Sequence, residues 1–388
     1  MAHYVESGPR IDVSRLGGDE FTVVLNQIDC AESAELVARR LLDALSEPMV
    51  IGGHELVVTP SIGVALAPDH ATVVDGLLKA ADTAMYHAKA AGKNKCLFYQ
   101  PDMDAAGVDR LELEADLRRA LERDEFVLHY QPQVDTRNGS VIGAEALVRW
   151  EHPEKGMIPP FKFIPLMEEM GYIDTLGEWV LREACRQLKE FETEGFRLPK
   201  VSVNVSALQF NSAFIGILKD VLRESGLDPA KLELELTEGV VMGDANATID
   251  SFNELKEMGI RLSIDDFGTG YSSLSYLSRF PLDELKIDRS FVTEFDKSEN
   301  DASLVIAIIA MARSLNLDLV AEGVETREQY QFLTNNGAHV IQGYLFSKPV
   351  PAEELQALLS PWHYMEQIQG IARDMTDGDL REVSAAGA

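Results

Sequence analysis

From residue 126 onward the chain alternates two patterns. Short apolar segments, FVLHYQPQVD, VIGAEALVRW, KVSVNVS, KLELELTE, IRLSIDD, DELKID, LDLVAEG and HVIQGYLF, are separated by longer stretches with helical spacing. That spacing predicts helices at 161–170, 174–193, up to Ser225, 246–258, 301–315 and 326–335. Strands alternating with helices of this length predict a parallel sheet. Eight of them in about 250 residues predict an α/β fold of the (β/α)8, TIM-like kind. The first two segments follow each other without a helix, so the first strand is expected to run antiparallel.

The earlier part reads differently. Residues 1–10 have no periodicity and read as a tail or an appended end. RIDVSRLGGDEFTVVL is two β-rich segments around a tight acidic turn, a hairpin pattern. Residues 31–47 have helical spacing, IGGHE is a second polar hairpin, VVTPSIGVALAP is strand-like, and LLKAADTAMYHAKAAGKNKCLFY reads as a helix with a last short strand. The polar stretch 101–110 reads as a joint, after which LELEADLRRALERDEF begins an amphipathic helix. The expected organisation is a partial α+β domain over 11–100, a joint at 101–110, the barrel over 111–362 and a tail over 363–388.

Charge narrows the class. Lys and Arg number 35 against 64 Asp and Glu, a net of −29. This argues against gripping a nucleic-acid polymer through a general basic surface, and an anionic ligand would need metal ions or a few placed cations. Three scattered cysteines suit neither a disulfide framework nor a zinc site, so a reduced, cytoplasmic setting is expected. The longest apolar run, LVIAIIAMA at 304–312, is well short of the roughly 18 residues of a membrane span. No membrane contact is expected from this segment, although a longer parent protein could carry an anchor.

Barrel active sites lie at the strand C-terminal ends, and here those ends are polar. They carry Gln131, Glu145, Arg149, Asn204, Glu235, Glu238, Asp265, Asp266, Lys286, Asp288, Glu322, Glu325 and Gln342. Each has an ordinary reading by itself: Asn204 as a turn former, Lys286 as a surface charge, Glu325 as a first-turn helix acid, an Asp of the pair as a helix cap. Together at successive strand ends they read as a site, because carboxylates so arranged repel unless cations hold them. Hard oxygen donors suit Mg²⁺ or Mn²⁺. Zinc is not expected without a His cluster or Cys pair.

Adjacent Asp265 and Asp266 can serve one site only where their strand breaks, and Gly268 and Gly270 supply that break. The following SSLSYLSRF reads as a short helix. A shared Asp265 would bridge two ions about 3.5–4 Å apart, the arrangement for in-line attack of water on a phosphodiester. Lys286 would then neutralise phosphate or orient the water.

The motifs QPQVD, EALVRW, NVS, ELTE, DDFGTGYSSL, LKID, AEGVE and QGYLFSKP, over residues 110 to about 362, resemble the EAL domain, a cyclic di-GMP phosphodiesterase. RLGGDEF, SIGVA and ADTAMYHAKAAGKN resemble the second half of a GGDEF domain, the diguanylate cyclase fold. The EAL resemblance implies metal-dependent hydrolysis of cyclic di-GMP to linear pGpG, with calcium inhibitory, in a homodimer formed through this domain. It implies Glu145, Asn204, Glu235 and Asp265 around one ion, with Asp265 shared and Asp266 on the second. Glu322 would be the acid/base or a water-mediated metal contact, and Lys286 would touch the attacking water. Gln131, Arg149, Glu325 and Gln342 would hold the dinucleotide and close the site, while Glu238 and Asp288 would couple the Asp-Asp loop to the dimer interface.

For the shorter domain the resemblance implies a hairpin tip of Gly17, Gly18, Asp19 and Glu20, with Lys89 and Lys93 at phosphate-contacting positions. Only sixteen residues precede Gly17. These are therefore expected to be vestigial, with no cyclase activity and an incomplete, edge-exposed sheet. The alternative function is a non-catalytic cyclic di-GMP receptor.

Overall fold

The computed structural model describes residues 11–371, apart from 18–19, 27, 29, 47–48, 52–53, 57, 91–93, 212, 242–244, 269–276, 278, 295–298 and 361–362. The chain divides into two compact units, Met1–Arg118 and Arg119–Ala388.

In the first unit the described strands pair two by two. Ile11–Gly17 and Glu20–Leu25 form the antiparallel hairpin, with Gly17 opposite Glu20. Met49–Ile51 and His54–Leu56 form the second hairpin. Ile62–Val64 lies parallel to Cys96–Phe98, joined through the helix Val74–Ala90. That helix sits flush on its strand, since a Cβ at Gly63 would fall 2.0 Å from the Ala81 carbonyl oxygen. A small core of Ala80, Ala84 and Tyr99 results, while Val13 and Phe21 on the first hairpin are largely exposed. Gly18, Asp19 and Lys93 lie outside the described residues. Glu20 and Lys89 are exposed.

The stretch read as a joint is helical instead. One helix runs Asp102–Ala120, because Pro101 precedes its first turn, Asp102 and Asp104 suit the helix N-terminus, and Gly107 is the only poor helix former within it.

The second unit is a closed eight-stranded barrel with strands β1 (Phe126–Asp135), β2 (Ser140–His152), β3 (Val201–Val205), β4 (Leu232–Thr237), β5 (Arg261–Phe267), β6 (Glu284–Ile287), β7 (Asp318–Ala321) and β8 (Val340–Ile341). As the pattern predicts, β1 is antiparallel to β2 and all pairs from β2 to β8 are parallel. Alternation assigns the faces. Leu232, Leu234 and Leu236 of β4 are buried on one face, and Glu233 and Glu235 on the other pair with Lys200 and Lys286. The surrounding helices start and stop at sequence signals. Thr326 and Gln329 form a capping box before Arg327–Asn336, which ends at Gly337 with φ 97°. Ile173–Glu194 buries Leu176, Val180, Ala184, Leu188 and Phe191 on one stripe and ends at Gly195.

Closure is local. β8 is only Val340–Ile341, paired antiparallel with Asp135 and Val134. The chain then leaves β1 over 342–349 and returns as Val350–Pro351 beside Tyr130 and His129. HVIQGYLF is therefore a two-residue strand followed by an excursion, not the continuous strand its composition predicts. Most of the predicted helix SSLSYLSRF lies outside the described residues.

Candidate active site

Lys286 is the centre of the site. It is 1% exposed on β6 and faces carboxylates from four other elements. Its Nζ donates to Glu235 Oε2 of β4 at 2.7 Å, lies 3.5 Å from Glu145 of β2 and 3.6 Å from Asp265 of β5, and pairs with Glu322, just past β7. Burial opposes the ammonium, but Asp265, Glu145, Glu235 and Glu322 hold its pKa well above the ordinary lysine value.

One cation among four acids, Glu145 and Glu235 buried and Asp265 and Glu322 half-buried, leaves negative charge uncompensated. Burial, with the Glu145 charge next, pushes the Glu235 carboxyl well above its usual range. Burial does the same to Glu322, helped by Asp265 and Glu145 against Lys286. Glu145 goes the other way. Burial works against its ionisation, but Lys286 and hydrogen bonds from Gln342 and Asn204 outweigh it. Asn204 Nδ2 donates to Glu145 Oε1 at 2.6 Å.

The break begins within β5; Gly268, just past the strand, has φ 98° as expected, and Gly270 lies outside the described residues. Asp266 has φ 54°, in the left-handed region that costs an ordinary residue about 1–2 kcal/mol, and its N–H donates to Asp265 Oδ1 at 2.9 Å. The turn thus brings both carboxyls to one end of the barrel. Burial, then the charges of Asp265 and Asp288, push the Asp266 carboxyl up to about 6. Asp288 itself accepts from the Ser290 N–H at 3.0 Å.

A second group closes the opposite wall. Buried Gln342 donates to Glu145 and to Gln131 Oε1 at 3.2 Å, and accepts from Gln133 Nε2 at 3.2 Å. Gln131 donates to the Ser347 carbonyl at 3.0 Å. Gly343 is required there, since a Cβ would fall 2.1 Å from the Val324 carbonyl oxygen. Arg149 is half-buried and donates to the Val148 carbonyl at 2.9 Å. Burial lowers its pKa, against the favourable charges of Tyr344 and Glu145.

The structure therefore brings together Gln131, Glu145, Asn204, Glu235, Asp265, Asp266, Lys286, Glu322 and Gln342. Glu325 stays apart, exposed, with its N–H on Gln329 Oε1 at 2.7 Å. The side chain of Glu238 lies outside the described residues. Gln133 belongs to the cluster and was missed, although its spacing of two from Gln131 on one strand is the signal that could have found it.

The donor set fits divalent cations. The donors are hard oxygens in excess of positive charge, and Glu235 Oε1 is buried without a hydrogen-bond partner. Among the described residues no three such side chains are already drawn around a common ion position. Lys286 fills the centre of the cluster instead.

The family profile of the EAL domain matches residues 114–349. This chain belongs to the EAL domain family. The profile of the diguanylate cyclase GGDEF domain matches residues 9–95. Two Pseudomonas aeruginosa proteins are similar to this chain. The chain is 47% identical over 346 residues to the bifunctional diguanylate cyclase/cyclic di-GMP phosphodiesterase MucR, covering 89% of this chain and 50% of that protein. It is 42% identical over 353 residues to the cyclic di-GMP phosphodiesterase NbdA, covering 91% and 45%. The chain thus spans about half the length of these curated relatives. Among solved structures, the PaMucR phosphodiesterase in complex with c-di-GMP is 50% identical with a TM-score of 0.62, covering 63% of this chain and 99% of that one.

Proposed function

We propose that this EAL domain hydrolyses cyclic di-GMP to linear pGpG in bacterial second-messenger signalling. The observation that carries the reading is the buried Lys286 ringed by four carboxylates, three from different strands and one from just past β7. Such a surplus of acid favours bound cations, and cations joined to a lysine suit a phosphodiester. Glu145, Asn204, Glu235 and Asp265 would hold one Mg²⁺ or Mn²⁺, and Asp265 with Asp266 a second. When bound, these ions supply Lewis acidity at phosphorus and a reactive water, whereas Ca²⁺, with its longer and looser coordination, inhibits.

The remaining work falls to side chains. Lys286 orients the attacking water and offsets phosphate charge, and Glu322, paired with it, exchanges the proton. Oxygen attacks phosphorus, the bond from phosphorus to the 3′ oxygen breaks, and that oxygen takes up a proton. Gln131 and Arg149 hold the dinucleotide, Glu325 contributes at the rim, and Gln342 fixes Glu145. Glu238 and Asp288 link the Asp-Asp loop to a homodimer interface, in keeping with the charge coupling of Asp288 to Asp266. The reaction belongs in the cytoplasm. No helix among the described residues is long and apolar enough to cross a membrane.

The decisive experiment is incubation of the purified chain with cyclic di-GMP and Mg²⁺ or Mn²⁺, with a Ca²⁺ arm, following products by chromatography. Calcium-suppressed formation of pGpG is expected, and Glu145→Ala abolishes it. Tight binding of intact dinucleotide without product would replace this reading with the receptor function.

A further inference from the structure

The wall carrying Gln342 is the weakest part of the barrel. Between the two-residue β8 and Val350–Pro351, the chain leaves β1 over 342–349, and backbone pairing is replaced there by side chains. From inside, Gln131 holds the Ser347 carbonyl and Gln133 holds Gln342.

From outside, the same excursion meets a segment beyond the family match and beyond the expected domain end at 362. Residues 365–371 are helical. Gln367 Nε2 donates to the Leu345 carbonyl at 2.6 Å. The buried Tyr364 ring meets Phe346 edge-on at 5.2 Å between centroids. Tyr364 and Ile368 form one core cluster with Val134 of β1, and Val141, Phe346 and Leu358 pack against it. The turn before β2 also closes on this segment, where a Cβ at Gly139 would fall 2.8 Å from the Met365 nitrogen.

The geometry points to residues 363–371 as a positioning element of the catalytic unit rather than a tail. They clamp the excursion from outside while Gln131 and Gln133 clamp it from inside, so that Gln342 stays on Glu145. The excursion is also tied to the turn after Glu322, because the Leu345 N–H donates to the Val324 carbonyl at 2.9 Å. A loosened clamp therefore disturbs two walls of the site. Tyr364 and Gln367 touch no substrate and act through Phe346 and Leu345.

The activity part of this inference rests on the proposed hydrolysis, so the test has a readout independent of it. Hydrogen–deuterium exchange is followed in the full chain for wild type, Gln367→Ala, Tyr364→Leu and the exposed control Lys219→Ala on the helix Phe214–Ser225, alongside turnover of cyclic di-GMP. Gln367 is exposed, so Gln367→Ala keeps the experiment informative if Tyr364→Leu fails to fold. Exchange over 342–349 is expected to quicken about tenfold in both clamp variants and not in the control. The kcat is expected to fall about tenfold, with KM little changed. Wild-type exchange over 342–349 in Gln367→Ala would overturn the clamp, whatever the activity. A wild-type chain without turnover would overturn the hydrolytic reading alone, and the exchange data would still decide the clamp.

Discussion

Lys200 and Lys286 are both buried inside one barrel, and the charge around them is balanced differently. Lys200 pairs with Glu233 and Glu284, while Arg261 pairs with Glu233 at 3.0 Å and with the exposed Asp318 at 2.8 Å. Ser202 also donates to Glu233, at 2.9 Å. Two cations thus share three acids, one of them at the surface. Burial raises the Glu284 carboxyl to about 8; Glu233 stays low because Lys200 and Arg261 outweigh its burial. A single proton on Glu284 neutralises that layer. Around Lys286 four acids face one cation, and Asp266 adds a fifth nearby. The first cluster closes on itself as architecture, whereas in the second the acids outnumber Lys286 even with protons on Glu235 and Glu322.

Exchanging each lysine for methionine tests this contrast hardest. Lys286→Met is expected to lower turnover about 10²–10³-fold, while divalent ions keep the fold intact. Lys200→Met leaves two buried acids short of a partner and is expected to cost about 3–5 kcal/mol in urea unfolding, with turnover per folded molecule nearly unchanged. Matching outcomes for the two variants would erase the distinction.

Metal addition is the next largest effect. Mn²⁺ at a hundred times its Kd is expected to stabilise the chain by about 2.7 kcal/mol, read as a Tm rise that a chelator reverses. Glu235→Gln should lose most of this gain, and Lys200→Met should keep it.

A smaller effect comes from pH. Glu284 holds its proton up to about 8 when folded, against an ordinary 4.5. The folded state therefore binds more protons between those values, and stability falls as pH rises from about 4.5 to 8. Glu284→Gln is expected to flatten that slope in Tm measurements, gaining most over wild type at the alkaline end. The smallest change expected is from Glu325→Ala, about twofold in kcat/KM, as for an exposed residue outside the cluster.

The alternation of patterns made the barrel and its antiparallel first strand legible, and polar strand ends made the upper cluster legible. Depth was not. In LELELTE, Glu233 and Glu235 have the same parity, so periodicity assigns both to one face without saying that one lies in the site and the other a layer below. Glu284 and Lys286 repeat the ambiguity in ELKI. The side-chain partners resolve it, since Glu233 and Glu284 meet Lys200 whereas Glu235 meets Lys286. The helix over 101–110 was missed because its polar composition resembles a loop, and the excursion after Ile341 because its residues suit a strand.

The short join between β1 and β8 sets how the molecule fails on warming. β8 is held by two residue pairs on each side, to β7 and to β1, so the cylinder opens first beside that strand, and Gln342 is the next residue along. Heat inactivation should therefore precede loss of secondary structure, and brief cooling should restore activity before any refolding is needed. Strengthening the stitch would extend working lifetime without touching a single reacting group.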